Sequence, residues 1–199
     1  MAGGNNELFR NNPLDYFRKH QLMISPQAIG SQALHNGTMD IDLVSVDPQM
    51  PDFIRLENFN LRRHHLSLRL KPAQPVRAYY LAAVYDDAST LRITNERNYL
   101  FTADLSGCLF AAYGTNANDL TVEHVNVHTQ NARVPILPRV QAIIAANYNF
   151  YRILSPVPVA GSNPFYVKVY PANSSVMGLR IGGAWTFHYK LVPMQSLRL

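Results

Sequence analysis

Three strand-like stretches around a single glycine–cysteine turn constrain the fold of this chain more than any other feature. Asn98–Ala103 and Leu109–Tyr113 flank the turn, and Val122–His128 follows after a polar loop. Their β-branched and aromatic residues are typical of strands. Gly107 directly precedes Cys108, and glycine adopts turn conformations that other residues reach only at a cost. The pattern predicts a sheet built around Cys108.

The same stretches contain a candidate cysteine–histidine pair. Cys108 is the one cysteine among 199 residues. Every second residue of a strand shares a face, so His124 and His128 are expected to point the same way. A thiol next to an imidazole is the pairing that activates a cysteine nucleophile. A lone cysteine among apolar residues is also typical of an inert core position. The residues alone leave both interpretations open.

The segments around the turn resemble a known family. Thr102-Ala103-Asp104-Leu105-Ser106-Gly107-Cys108, followed by Val122-Glu123-His124-Val125, is similar to the catalytic core of the glutamine-deamidating toxins. This family includes the Burkholderia lethal factor and the catalytic domains of the cytotoxic necrotizing factors. Its signature is an L-S-G-C motif with a histidine on a following strand, and the lethal factor has a threonine at the place of Thr102. The resemblance covers roughly 30 residues.

This resemblance implies a protein-glutamine deamidase that needs no cofactor. Cys108 would be the nucleophile, and His124 would activate it and then protonate the leaving ammonia. Thr102 would orient the histidine through an oxygen, as the third member of a triad does. His128 is the one competitor for the role of base. The implied substrate is a host protein: the DEAD-box helicase of translation initiation for the lethal factor, or Rho-family GTPases for the necrotizing factors.

Other residues near the motif are candidates for binding the substrate. The backbone N–H groups of Cys108 and its neighbours, Ser106 and Gly107 among them, would form the oxyanion hole. Gly107 would let the substrate approach the backbone closely. Asn126 shares the predicted strand face of His124 and is a candidate to bond the substrate or the histidine. Asp104 and Glu123 are interpreted as ordinary solvated residues.

Three alternatives to a deamidase remain open at this stage. Another cysteine hydrolase, a protease or a transglutaminase, would form the same thioester and differ in what attacks it. A non-enzymatic β-sandwich would simply bury Cys108. A metal site built from Cys108, His124 and His128 is chemically possible, but no second cysteine or acidic motif accompanies it.

Composition limits the class of protein further. With 22.4 kDa, 47% hydrophobic and 16% charged residues, we expect one globular catalytic domain over residues 1–199. A single cysteine excludes an intrachain disulfide and fits reducing cytosol. The first residues lack the pattern of a secretory signal peptide. These features fit an ordinary cytoplasmic protein and an exported effector equally. The resemblance implies a monomeric effector, secreted from the bacterial cytoplasm without a signal peptide and acting in host cytosol.

The net charge of +5 is spread along the chain. The densest basic cluster, Arg62-Arg63-His64-His65, is short, and no nucleic-acid-binding motif accompanies it. No apolar run approaches the roughly 18 residues that span a bilayer. We expect neither a nucleic-acid nor a membrane partner, and we interpret the charge as a solubilising surface.

Local patterns predict the remaining elements and the fold class. The apolar spacing of Leu8–Phe17, interrupted by Pro13, predicts two short helices. Further elements are predicted as follows: helices at Ser25–Leu34 and Arg139–Ile153, strands at Asp40–Val46, His65–Leu70, Val76–Tyr85, Phe165–Tyr170, Leu179–Ile181 and Ala184–Leu191, a loop over 48–59, a turn over 86–89 and a bulge at Gly182–Gly183. Together they predict an α/β chain dominated by a mixed, largely antiparallel β-sandwich of about nine strands, with peripheral helices and long loops.

Overall fold

The computed structural model describes residues 4–24, 36–47, 49–59, 74–84, 86–105, 107–126, 133–156, 167–169, 174–191 and 196–198. Three helices lie in these ranges: α1 (Gly4–Asn11), α2 (Pro13–Lys19) and α3 (Arg133–Asn147). The strands of the described part are β1 (Gln21–Ile24), β2 (Gly37–Asp47), β3 (Met50–Asn58), β4 (Val76–Leu81), β5 (Asp87–Ile93), β6 (Tyr99–Thr102), β7 (Leu109–Asn116), β8 (Asp119–Asn126), β9 (Phe150–Ser155), β10 (Val167–Val169), β11 (Ser174–Ile181), β12 (Ala184–Leu191) and β13 (Ser196–Arg198).

The strands form two sheets. The larger has the order β1-β3-β2-β4-β6-β11-β12-β13 and is mixed, because β1–β3 and β4–β6 pair in parallel. The smaller has the order β10-β9-β7-β8-β5 and is antiparallel except for β9–β10. These sheets and the three helices confirm the predicted fold class.

Alternation along the strands creates separate apolar layers. In β6, Leu100 packs in the cluster between the two sheets, whereas Phe101 packs with Phe9 of α1 on the outer face of the larger sheet. Between the sheets, the rings of Phe110 and Phe187 lie 5.5 Å apart. On the far side of the smaller sheet, Ile144 of α3 packs in a third cluster. Any polar group between the sheets is therefore shielded by apolar layers on both sides.

The N-terminal helices follow the prediction. Asn12 caps α2, because its side chain accepts a hydrogen bond from the N–H of Asp15, and Pro13 occupies the first turn, where its missing N–H is not needed. None of the helices in the described ranges has the length and apolar character needed to cross a membrane.

Two predicted loops prove to be strands. The predicted loop over 48–59 is wrong, since it contains β3, whose Ile54 and Leu56 alternate into the apolar cluster beneath α1. The predicted turn over 86–89 is wrong for Asp87–Ser89, which begin β5. Only Asp86 has a left-handed conformation, with φ of 55°. The described residues contain thirteen strands, against the prediction of about nine; β3 and β5 are two of those that were not predicted.

Two further predictions need correction. The predicted helix over 139–153 ends at Asn147, and Phe150–Ser155 is β9 because Ile153 and Leu154 alternate between two apolar clusters while pairing with β7. Gly182 and Gly183 form a tight turn between β11 and β12, where a bulge was expected. Both have positive φ, as a two-residue hairpin turn of the primed type requires. The predictions for 25–34 and 65–70 lie outside the described residues.

Candidate active site

Cys108 stands where the chain leaves its turn and enters β7. Gly107 has a φ of 79°, a conformation that favours glycine. From this turn the strand alternates: Cys108 and Phe110 face the larger sheet, while Leu109 faces α3. The thiol is 3% exposed. The sequence therefore places the thiol at the end of the layer between the two sheets.

His124 lies on the neighbouring strand and faces the same layer. Val122, two residues before it in β8, packs in the cluster between the sheets. His124 pairs with Phe110 of β7, so Cys108 is its diagonal neighbour on one face. The structure thus brings together the cysteine and the histidine that the sequence predicted as a pair. No hydrogen bond joins the two side chains, since neither ring nitrogen of His124 has a partner among the described residues. The Cys108 thiol donates to Oδ1 of Asn126 at 3.1 Å.

The imidazole of His124 is buried, and no hydrogen bond from the described residues offsets its loss of hydration. Its side chain is 0% exposed, and neither ring nitrogen has a hydrogen-bond partner among the described residues. Burial lowers the pKa of His124 to about 4, because the charged form loses its hydration. At neutral pH this histidine is therefore uncharged, on the strand face that it shares with Cys108.

Ser89 of β5 is a polar neighbour that the sequence analysis missed. It pairs with His124 from the strand on the other side of β8, and it is 5% exposed. Its hydroxyl is also buried without a partner in the described part of the chain. Ser89 and His124 are therefore directly paired across β5 and β8, while Cys108, just before β7, is the diagonal neighbour of His124 on the same face. The sequence could have pointed to Ser89, because Ser89, Leu91 and Ile93 alternate as the inward-facing residues of a strand do.

Asn126 joins the thiol to the opposite side of the site. In addition to accepting from Cys108, its Nδ2 donates to the carbonyl of Val84 at 2.9 Å. Asn126 was predicted to contact the substrate or the histidine. In the structure it bridges the end of the Gly107–Cys108 turn and the segment after β4, and a contact with substrate stays a prediction.

Thr102 lies on the layer side of β6, two residues after Leu100, and is 1% exposed. Its Oγ1 accepts a hydrogen bond from the N–H of Val176 at 3.1 Å, and no bond to His124 is found among the described residues. The described contact stabilises the pairing of β6 with β11. An orienting role for Thr102 stays a prediction.

The remaining candidates are less central to the site. Glu123 points to the outer face, where its Oε1 accepts a hydrogen bond from the hydroxyl of Tyr113 at 2.5 Å. Asp104 is exposed, yet its pKa is raised to about 6 because the surrounding protein withdraws the carboxyl from water. Ser106 and His128 lie outside the described residues. Among residues with a described position, no three His, Cys, Asp or Glu side chains are close enough to hold a metal ion.

Comparisons with known proteins find likenesses among solved structures. No family model and no curated protein matches the sequence. One of these solved structures is the crystal structure of the C-terminal domain of CNFy from Yersinia pseudotuberculosis. The alignment has 8% sequence identity and a TM-score of 0.49, and it covers 100% of this chain and 97% of that one. At this level, the likeness concerns the course of the backbone and assigns neither a family nor an activity to the chain.

Proposed function

We propose that this protein is a cysteine-dependent amide hydrolase that converts a glutamine of another protein to glutamate. The observation that carries the proposal is the placement of Cys108, at the start of β7, and His124, in β8, on one face. Neither imidazole nitrogen has a hydrogen-bond partner in the described part of the chain. The motif around Cys108 and its resemblance to glutamine-deamidating toxins supply the choice of substrate.

An inert core explains this arrangement poorly. Buried polar groups are nearly always hydrogen-bonded, and leaving one unsatisfied costs about 1–3 kcal/mol. His124 and Ser89 together leave three such atoms unpartnered within the described residues. An apolar residue at position 124 would avoid that cost. Unsatisfied groups of this kind, next to a thiol, are typical of a functional site.

The proposed chemistry starts with proton transfer from the thiol of Cys108 to His124. The sulfur attacks the side-chain carbonyl carbon of glutamine, and backbone N–H groups at the Gly107–Cys108 turn stabilise the oxyanion. His124 then gives its proton to the departing ammonia, which leaves a thioester on Cys108. Water attacks the thioester, His124 takes a proton from the water and returns it to the sulfur, and glutamate is released.

Asn126 is suited to controlling access to the thiol. Cys108 is buried in the present arrangement, and its S–H donates to Asn126. When the glutamine side chain enters, Oδ1 of Asn126 exchanges the S–H for an N–H of the substrate amide. The thiol is then free to give its proton to His124. This gives Asn126 the substrate-binding role expected for it.

Ser89 completes the site as the positioning residue for His124. A base needs a third group that fixes its orientation and tautomer. β8 lies between the strand of Cys108 and the strand of Ser89, so the imidazole stands between nucleophile and hydroxyl. Directly paired residues have Cβ atoms about 4.5–5.5 Å apart, so a rotamer change of Ser89 brings its hydroxyl into reach. The hydroxyl of Thr102 is already engaged by β11.

We expect Ser89→Ala to lower kcat by about 10–100-fold, with a smaller change in KM, because the imidazole loses its orienting group. Ser89→Thr should restore most of the rate. A purely packing role would leave the pH profile of kcat unchanged, whereas an orienting role shifts its acid limb. Equal kcat and pH profiles in Ser89→Ala and the wild type would refute the role.

The test of the function itself is proteomic. Host-cell lysate is incubated with the wild type or with Cys108→Ala, and tryptic peptides are compared by mass spectrometry. We expect specific glutamines to become glutamate only with the wild type. By resemblance, the translation-initiation helicase is the first target to inspect and Rho-family GTPases the second. Cleaved peptide bonds, or glutamines cross-linked to amines, would instead show a protease or a transglutaminase. No modification at all would favour a non-enzymatic β-sandwich.

Resemblance also supplies the expected setting, which forms part of the proposal. The protein would be a monomer that is made in the bacterial cytoplasm and delivered into a host cell. It would act in the host cytosol without a cofactor, and neither nucleic acid nor membrane would be a partner.

A further inference from the structure

A second concave site lies at the opposite end of the sandwich from Cys108. It is a cleft of about 680 Å³ formed by the end of α1, the start of β4 and the segment between β5 and β6. The residues that line it are Arg10, Gln74, Pro75, Arg77, Asn95, Glu96, Arg97, Asn98 and Tyr99. Its volume falls within the range of ligand-binding pockets, about 300–1,000 Å³.

Three guanidinium groups dominate the electrostatics of this cleft. Arg10 donates through Nη1 to the carbonyl oxygens of Gln74 and Pro75, at 2.9 and 3.3 Å. Arg97 donates through Nη1 to the carbonyl of Glu96 at 2.9 Å, and its Nε is buried without a partner among the described residues. Carbonyl oxygens fix a guanidinium in place without cancelling its charge. These two arginines are therefore held ready for an anion.

The contrast with other arginines supports this interpretation. Arg92 is bound by both carboxylate oxygens of Asp119, at 2.8 and 2.5 Å, and its charge is compensated. In the cleft, Arg77 has only a loose contact with Asp40, at 3.8 Å, and its side chain is 73% exposed. Among the described residues that line the cleft, Glu96 is the one acidic residue. The cleft is therefore a site of net positive charge.

We propose that this cleft binds an acidic segment of a protein partner, with carboxylates on the arginines. A guanidinium matches a carboxylate through two parallel hydrogen bonds. The side-chain amides of Asn95 and Asn98 are suited to bond a peptide backbone. Nucleic acid fits the cleft less well, because single-stranded bases need aromatic faces to stack on. Tyr99 is the one aromatic residue in the lining, and its ring already packs edge-on against Phe9 at 5.0 Å.

If the proposed deamidation holds, the partner is the substrate itself. β4 and β6 run in parallel from the cleft towards the catalytic site. The six residues of β4 alone span on the order of 17 Å. The acidic segment would thus dock far from the reacting glutamine and raise the affinity for the correct protein without taking part in the chemistry.

Binding is measured with Cys108→Ser protein, so that no turnover occurs. Fluorescently labelled deca-glutamate is the probe, and labelled deca-uridylate RNA is the comparison. The test variant is Arg77→Gln with Arg97→Gln, which leaves the Arg10 contacts intact. Arg139→Gln, at an exposed position of α3, is the matched control. We expect the double variant to bind deca-glutamate at least about tenfold more weakly, since it loses two charge-assisted hydrogen bonds, and the control to be unchanged.

Three outcomes would overturn the inference: no binding of deca-glutamate, equal binding by the double variant, or tighter binding of the RNA than of the acidic peptide. Activity separates this inference from the proposed function. If the double variant with Cys108 intact loses deca-glutamate binding yet deamidates the target as fast as the wild type, the acidic partner is not the substrate, and the proposed chemistry stands. Intact binding with no deamidation refutes only the proposed chemistry.

Discussion

Replacing His124 by glutamine should lower kcat by about 10³–10⁴-fold, because the step in which the thiol is deprotonated and ammonia is protonated loses its base and acid. The substitution keeps a polar side chain of similar reach, so the fold should persist. The assay is the conversion of glutamine to glutamate in the target protein. His20→Gln, at the end of α2 and remote from the site, is a control that should retain full activity. Retained activity in His124→Gln would remove His124 from the mechanism.

The same variant should change how stability depends on pH. The folded-state pKa of His124 is about 4 against an ordinary value of 6.5, so the unfolded chain binds the proton more readily. The contribution of His124 to the free energy of unfolding is therefore fully present above pH 6.5 and is lost as the pH drops towards 4. The linkage amounts to roughly 2–3 kcal/mol lost between pH 7.5 and 4.5. Urea unfolding at both pH values measures it.

His124→Gln should abolish that loss. Asp104 acts in the opposite direction, because its raised pKa of about 6 makes stability rise as the pH falls into the same range. Its contribution is common to the wild type and the variant, so the difference between them isolates His124. An identical pH dependence in the two proteins would show that His124 is not buried in its neutral form.

Cys108→Ser should lower activity by about 10⁴-fold or more, since a serine hydroxyl lacks the nucleophilicity of a thiolate in the same position. The replacement is nearly isosteric, and its hydroxyl can still donate to Asn126 as the thiol does. Only a small change in the free energy of unfolding is therefore expected. Circular dichroism and urea unfolding establish that the variant is folded. A folded variant that keeps substantial activity would exclude Cys108 as the nucleophile.

Much of this site could be predicted from local sequence, and the reason is the two-residue period of strands. The stretches on both sides of Cys108 and the stretch around His124 alternate clearly, and they form β6, β7 and β8. Once β7 and β8 pair as neighbours, a shared face for the two residues follows. Gly107 has the positive φ that a glycine before the cysteine suggested.

The rest depended on contacts between distant parts of the chain. Ser89 becomes important only because β5 pairs with β8, and no local pattern fixes that order. The local pattern at Asp86 and Asp87 predicted a turn over 86–89, whereas β5 already begins at Asp87. Thr102 was chosen by its distance from Cys108 along the chain, while its hydroxyl bonds to β11, which lies 74 residues away. The arginine cleft likewise joins three segments that are far apart in sequence.

The most direct measurement of the central claim is the mass of Cys108 during turnover. The wild-type protein is mixed with the target found by proteomics, quenched in acid within the first turnovers and digested. We predict that the peptide containing Cys108 carries the substrate peptide minus ammonia, as a thioester that hydroxylamine removes. Formation of glutamate with an unmodified Cys108 at every time point, and equal activity in Cys108→Ala, would contradict the account.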